Sequence, residues 1–253
     1  MSTFFAVLLL AATVFMLGGL ARKIIQYSNT PAPLKIPTTP APKSTGGVVI
    51  RTAKEVIFFA ALFRASKWTW VFGWMFHFAL LLAFFRHLRY IITPDGAFGF
   101  LWPVISLDLV QSGGKYAGIA MVVGLLGLLA RRIFVARVRY ISSPSDYLML
   151  ILIMVIALSG LTMSFIDETH IDIMQLKAFV LGMFGFDFQE LPISVTLMVH
   201  LGLVAVLAFV LPISKLLHIP GVFFSPARNQ VDNSREVRHI SAWAKKLDET
   251  RSS

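Results

Sequence analysis

Apolar runs long enough to cross a bilayer recur five times, at roughly 4–21, 69–92, 116–135, 146–166 and 194–217. A hydrocarbon core about 30 Å thick takes about 20 helical residues. Backbone polar groups in lipid must be paired within their own segment, so each run reads as a helix. The pattern predicts an all-α integral membrane protein, a bundle of five transmembrane helices. Between the first two runs, residues 29–47 hold Pro31, Pro33, Pro37, Pro40 and Pro42 and end in Gly46-Gly47, which reads as an extended linker. Val56-Ile57-Phe58-Phe59, with Lys54, Arg64 and Lys67 nearby, predicts an interfacial amphipathic helix. Trp68, Trp70 and Trp74 suit the headgroup boundary where the second span begins. Residues 93–114 read as a loop with a turn at Pro94-Asp95-Gly96, and residues 167–193 as an acidic loop. The chain thus divides into a first helix (1–21), a linker with an interfacial helix (22–67), a four-helix bundle (68–218) and a tail (219–253).

Charge sets the expected orientation. Residues 22–67 carry eight Lys/Arg against Glu55, residues 131–146 carry four arginines, and the tail from Lys215 carries seven basic residues. The alternate segments carry only Arg86, Arg89, Lys115 and Lys177. Basic loops stay on the cytoplasmic side, so the N-terminus is expected outside and the tail inside the cell. The first run is not read as a signal peptide. Met1-Ser2-Thr3 has no basic side chain, and Arg22-Lys23 follow the apolar stretch, the reverse of a signal peptide's order. The net charge of +10 therefore reflects membrane topology, and no nucleic-acid partner is expected. The expected location is a bacterial inner membrane.

The chain has no cysteine. That excludes disulfides, thiolate-held iron–sulfur clusters and covalent haem attachment. Electron transfer through this chain would need a non-covalent cofactor and another subunit to receive the electrons.

Histidine supplies the candidate chemistry. Ionisable residues within spans are costly and mark functional sites. His77 and His87 lie on the second span, and His200 and His218 at the two ends of the fifth. On ideal helices the first pair is roughly 15 Å apart along the axis and about 80° around it, while the second shares a face over roughly 27 Å. Antiparallel spans pair His87 with His200 towards the outside and His77 with His218 towards the cytoplasm. The axial separations differ by about 12 Å, with Pro212 as a kink to absorb the difference. Two bis-histidine b haems fit this pattern. The competing reading of any one histidine is a hydrogen-bonded structural residue. His170 and His239 read as solvated. Arg86 and Arg89 flank His87, either to pair with haem propionates or to snorkel to the interface.

The histidine spacings, with Leu211-Pro212-Ile213-Ser214-Lys215-Leu216-Leu217-His218-Ile219, resemble the gamma subunit of respiratory nitrate reductase, across spans two to five and including Arg131-Arg132 and Ser145-Asp146. The stretch from Ser225 to Asn233, with Arg238-His239-Ile240, is more similar to the haem b subunit of the sulfite-reductase-associated membrane complex of sulfur-metabolising bacteria. The resemblance implies a five-span dihaem cytochrome b exchanging electrons with quinone, and ligand pairs His77–His218 and His87–His200. It implies a cytoplasmic iron–sulfur partner of the heterodisulfide-reductase-like type, further membrane and periplasmic subunits, and a role in sulfur metabolism. It also implies a quinone-contacting lysine near Lys115; otherwise Lys115 is an ordinary boundary lysine.

The quinone site is expected beside the outer haem, lined by loop 93–115 with its apolar Phe98, Phe100, Leu101 and Trp102. Asp95 and Asp108, with Asp167 and Glu168, are candidate proton-exchanging acids; otherwise they are solvated loop residues. Two other readings stand beside this one. The first is a quinol-oxidising subunit feeding a molybdenum reductase. The second is a non-redox transporter or anchor whose histidines bind a proton or metal.

Overall fold

The structure is a computed structural model that describes residues 1–30, 36–166, 171–218, 220–225, 227–233, 235–237 and 239–251. Pro31, Pro33, Asp167, Glu168, His170, Ile219 and Arg238 lie outside the described residues. In chain order the helices are α1 (Ser2–Asn29), α2 (Thr45–Phe58), α3 (Ala60–Ala65), α4 (Lys67–His87), α5 (Trp102–Ile105), α6 (Asp108–Phe134), α7 (Ala136–Ile141), α8 (Pro144–Phe165), α9 (Ile173–Gly185), α10 (Val195–Val210) and α11 (Ala242–Arg251). Among the described residues there is no strand. Five helices there are long and apolar enough to cross a membrane: α1, α4 extended to Tyr90, α6, α8, and α10 extended to Ile213. The chain is an all-helical, multi-pass membrane protein.

Four boundaries differ from the sequence expectation. Helix α1 continues past residue 21 to Asn29. Arg22 and Lys23 are adequate helix formers, and the first proline comes only at Pro31. Helix α2 begins at Thr45, so Gly46 and Gly47 belong to its first turn and not to the linker. Ser44 caps it by accepting from the Gly47 N–H at 3.2 Å. The expected interfacial helix is two helices, broken where Phe59 takes a left-handed conformation (φ 49°). Helix α6 begins at Asp108, eight residues before the expected start, and so absorbs the end of the supposed 93–114 loop. Val110 and Gly114 are buried, and Asp108 lies in the first turn, where the helix dipole favours an acid.

The larger correction is α9. Residues 173–185 form an apolar helix where an acidic loop was expected. The Asp172 carboxylate starts it by accepting from the N–H groups of Met174 (2.8 Å) and Gln175 (3.3 Å). Leu176, Phe179 and Met183 are buried with Phe5 and Ala6 of α1, Leu191 and Leu197. Tyr90 packs against this cluster.

The chain forms two compact units. In the first (Met1–Leu20 with Leu62–Leu216), backbone packing runs from α4 to α6, from α6 to α8 and from α8 to α10. Small residues permit the closest of these approaches. A Cβ on Gly124 of α6 would lie 3.0 Å from the Phe72 carbonyl oxygen of α4. Its core joins Phe76, Ala79, Ala117, Met121, Leu125, Ile153 and Ala157. Among the described residues α10 does not pack back onto α4 comparably, so the two histidine-bearing helices face each other without closing the ring. At one end the Asp146 carboxylate caps α8 through the Ser143 N–H (2.9 Å) and receives Lys215 at 3.1 Å, tying α8 to the segment after α10.

In the second unit (Ala21–Ala61 with Leu217–Ser253), the described part of the proline-rich stretch pairs with the tail. The Thr38 N–H donates to the Ala227 carbonyl (3.0 Å) and the Asp232 N–H to the Pro42 carbonyl (2.9 Å). The Arg51 guanidinium donates to the carbonyls of Thr38, Pro40 and Arg228.

Candidate functional site

His87 sits in the last turn of α4 and His200 in the first half of α10. Their rings face each other with centroids 6.3 Å apart and planes within 12° of parallel. A metal bound by imidazole lies about 2 Å from each nitrogen. Two opposed imidazoles sharing one metal therefore have ring centroids about 6 Å apart. The two imidazoles stand at a separation at which they would be able to hold one metal-centred group between them.

The hydrogen bonds fix which nitrogen is available. The Nδ1 of His87 lies 2.6 Å from the Ala83 carbonyl oxygen, which can only accept. Nδ1 therefore carries the proton, and Nε2 of the neutral ring holds a lone pair. His77 repeats this arrangement, with Nδ1 donating to the Gly73 carbonyl at 2.7 Å. Both bonds run one turn back along α4, to Gly73 and Ala83, residues of the smallest size. His200 differs. Its Nδ1 lies 2.8 Å from the Ser159 hydroxyl of α8, and that hydroxyl donates to the Ile156 carbonyl at 2.8 Å. With the hydroxyl proton on the Ile156 carbonyl, the oxygen accepts from His200 Nδ1 in the tautomer that leaves Nε2 its lone pair. Metal-bound histidines commonly donate their other ring N–H in this way.

Around His87, the arginines turn towards α6. Arg86 packs over Gly114, where an added Cβ would lie 3.0 Å from the Arg86 Cβ. The Arg89 guanidinium donates to Gln111 Oε1 (3.0 Å) and to the Tyr90 hydroxyl (2.8 Å). Its Nε is buried without a partner, a donor suited to a carboxylate such as a haem propionate. Lys115 is two turns inside α6, with its ammonium 4.6 Å from the Phe165 ring centroid at the end of α8. Asp95 is exposed in its turn, and Asp108 is exposed and accepts from the Ser112 hydroxyl at 2.7 Å. Phe98 and Phe100 are exposed, and Trp102 lies under the Lys177 ammonium at 5.2 Å.

The structure thus brings His87 and His200 together. His77 lies in the first unit and His218 in the second. His218 is not on the same helix as His200: α10 ends at Val210, Pro212 lies in a short 3-10 turn, and Ser214 is extended. The five-turn spacing expected for that pair does not apply. His239 hydrogen-bonds Asn233 at 2.7 Å. Among the described residues no group of three or more His, Cys, Asp or Glu is placed to hold a metal ion. Any iron bound by the histidines would come with its own equatorial ligands, as haem iron does.

Residues 60–238 match the nitrate reductase gamma subunit family. The chain belongs to that family. It is 31% identical to the Hdr-like menaquinol oxidoreductase cytochrome b-like subunit of Archaeoglobus fulgidus, over 92% of this chain and 81% of the relative. The corresponding subunit of Archaeoglobus profundus is 30% identical over 95% of this chain and 82% of the relative. The nitrate reductase gamma chain of Bacillus subtilis is 36% identical, over only 37% of this chain and 43% of its own length.

Two site features of this gamma-family chain are absent from the sequence reading. Ser159 is one serine on an apolar helix, and its link to His200 spans 41 positions. Helix α9 carries Lys177, which donates to the Ile92 carbonyl at 3.1 Å. The Asp172 cap before an apolar run was the available signal for that helix.

Proposed function

We propose that the chain is the dihaem cytochrome b subunit of a quinol-linked oxidoreductase. His87 and His200 hold the outer b haem, and His77 and His218 the inner one. The observation that carries this reading is the 6.3 Å separation of the His87 and His200 rings, with the Nδ1 of each already donating. Bound haem supplies a one-electron carrier at each position. The chain's own residues orient the rings, keep Nε2 unprotonated and present Arg89 Nε as a donor for a propionate.

Quinone binds at the outer end, beside Lys115. The lysine donates to a quinone oxygen, and Asp95 and Asp108 exchange the two quinol protons with outer water. The near full-length match to Hdr-like menaquinol oxidoreductase subunits, against a partial match to nitrate reductase gamma chains, supports an Hdr-like menaquinol oxidoreductase over a molybdenum reductase, and we place that complex in sulfur metabolism. Its cytoplasmic iron–sulfur subunit docks on the side that carries most of the basic residues. That side includes the tail, so a C-terminal reporter should be active in the cytoplasm. A reporter active only outside the cell would reverse the orientation.

Purified protein assembled with haem should give about two haems per chain by pyridine haemochrome analysis, from two histidine pairs. A menaquinol analogue should reduce them. A colourless protein from haem-replete cells would overturn the reading and favour a transporter or anchor.

A further inference from the structure

The two rings of the outer pair are held by different devices. His87 donates to a carbonyl of its own helix, so its ring angle follows from α4 alone. His200 donates to Ser159, a side chain of a neighbouring helix. The hydroxyl is in turn anchored by the Ile156 carbonyl, one turn back on α8. Next to it, Gly160 presents no side chain; a Cβ there would lie 3.5 Å from the His200 Cε1. That is ordinary van der Waals contact, so it is Ser159, through its hydroxyl, that distinguishes this wall of the His200 ring.

We propose that Ser159 is a positioning residue for the outer haem, setting the orientation and the donor strength of His200. The inference rests on the assignment of His87 and His200 as a ligand pair. It has two physical consequences. The hydroxyl restrains rotation of the His200 ring, which maintains the 12° angle between the two ligand planes. It also draws the Nδ1 proton, which makes Nε2 more electron-rich and stabilises the oxidised iron. Outer partners of this kind raise ligand basicity.

The test is Ser159→Ala beside Ser159→Thr in the full chain, read by redox titration of the haem spectra and by low-spin ferric electron paramagnetic resonance. Ser159→Ala should shift the ferric-to-ferrous balance of one component roughly tenfold towards ferrous. That is about 59 mV upward for a one-electron couple. The resonance of the same haem should change, because it depends on the angle between the ligand planes, and the other component should stay in place. Ser159→Thr keeps the hydroxyl and should restore both readings. Loss of only the outer haem in Ser159→Ala, with recovery in Ser159→Thr, supports the same role. Two unchanged components in Ser159→Ala would overturn it, as would loss of the outer haem in both variants. Absence of two haems in the unsubstituted protein would instead remove the ligand assignment, which separates the two failures.

Discussion

Replacing His200 by alanine should lower the haem content from about two per chain to about one, and His87→Ala should remove the same component. The facing rings motivate this, since under the proposed ligation either substitution would leave one imidazole where two now stand with centroids 6.3 Å apart. His77→Ala and His218→Ala should each remove the other component, on the family pairing. Potentiometric titration of the four variants decides the matter. If His87→Ala and His77→Ala abolished the same component, the pairing would be wrong.

Lys115→Ala should slow quinol-driven haem reduction about 10- to 100-fold, from a charge-assisted hydrogen bond worth about 1.5–3 kcal/mol. Haem content should not change. Lys115 lies one residue after the Gly114–Arg86 contact, which places it on α6 at the level of the outer histidine. Its ammonium rests over Phe165, an interaction of roughly 0.5–1 kcal/mol at such a site, so its loss should not unfold the bundle. Stopped-flow reduction by a menaquinol analogue measures the effect, and titration of a quinone analogue measures the binding. Unchanged rates together with unchanged binding would exclude Lys115 from the site.

Both expectations began in the sequence, but not equally. The five spans were visible because a bilayer imposes a length and a polarity that no local detail can override. The histidines stood out for the same reason, as costly groups within apolar runs. Helix ends were less legible. The start of α6 at Asp108 depends on burial of Val110 and Gly114, and the end of α10 at Val210 detaches His218 from the helix of His200. An ideal-helix calculation has no access to either. Helix α9 was hidden because acids on both sides suggested a solvated loop, whereas its apolar face is covered by Phe5 and Ala6 from the far end of the chain.

Sequence alone therefore determined the solvent, the number of spans, the absence of thiol chemistry and the four histidines. These follow from composition and from periods along one strand of chain. The tertiary structure decided that the His87 and His200 rings stand close and nearly parallel and that Nδ1 of each lies against a polar oxygen. It also decided that Ser159 holds one of them. Those facts depend on distances of 2.6–2.8 Å within and between helices and on a 6.3 Å gap across the bundle. Hydrophobic patterning leaves the depth and rotation of each helix against its neighbours undetermined, and only packing at such contacts selects them.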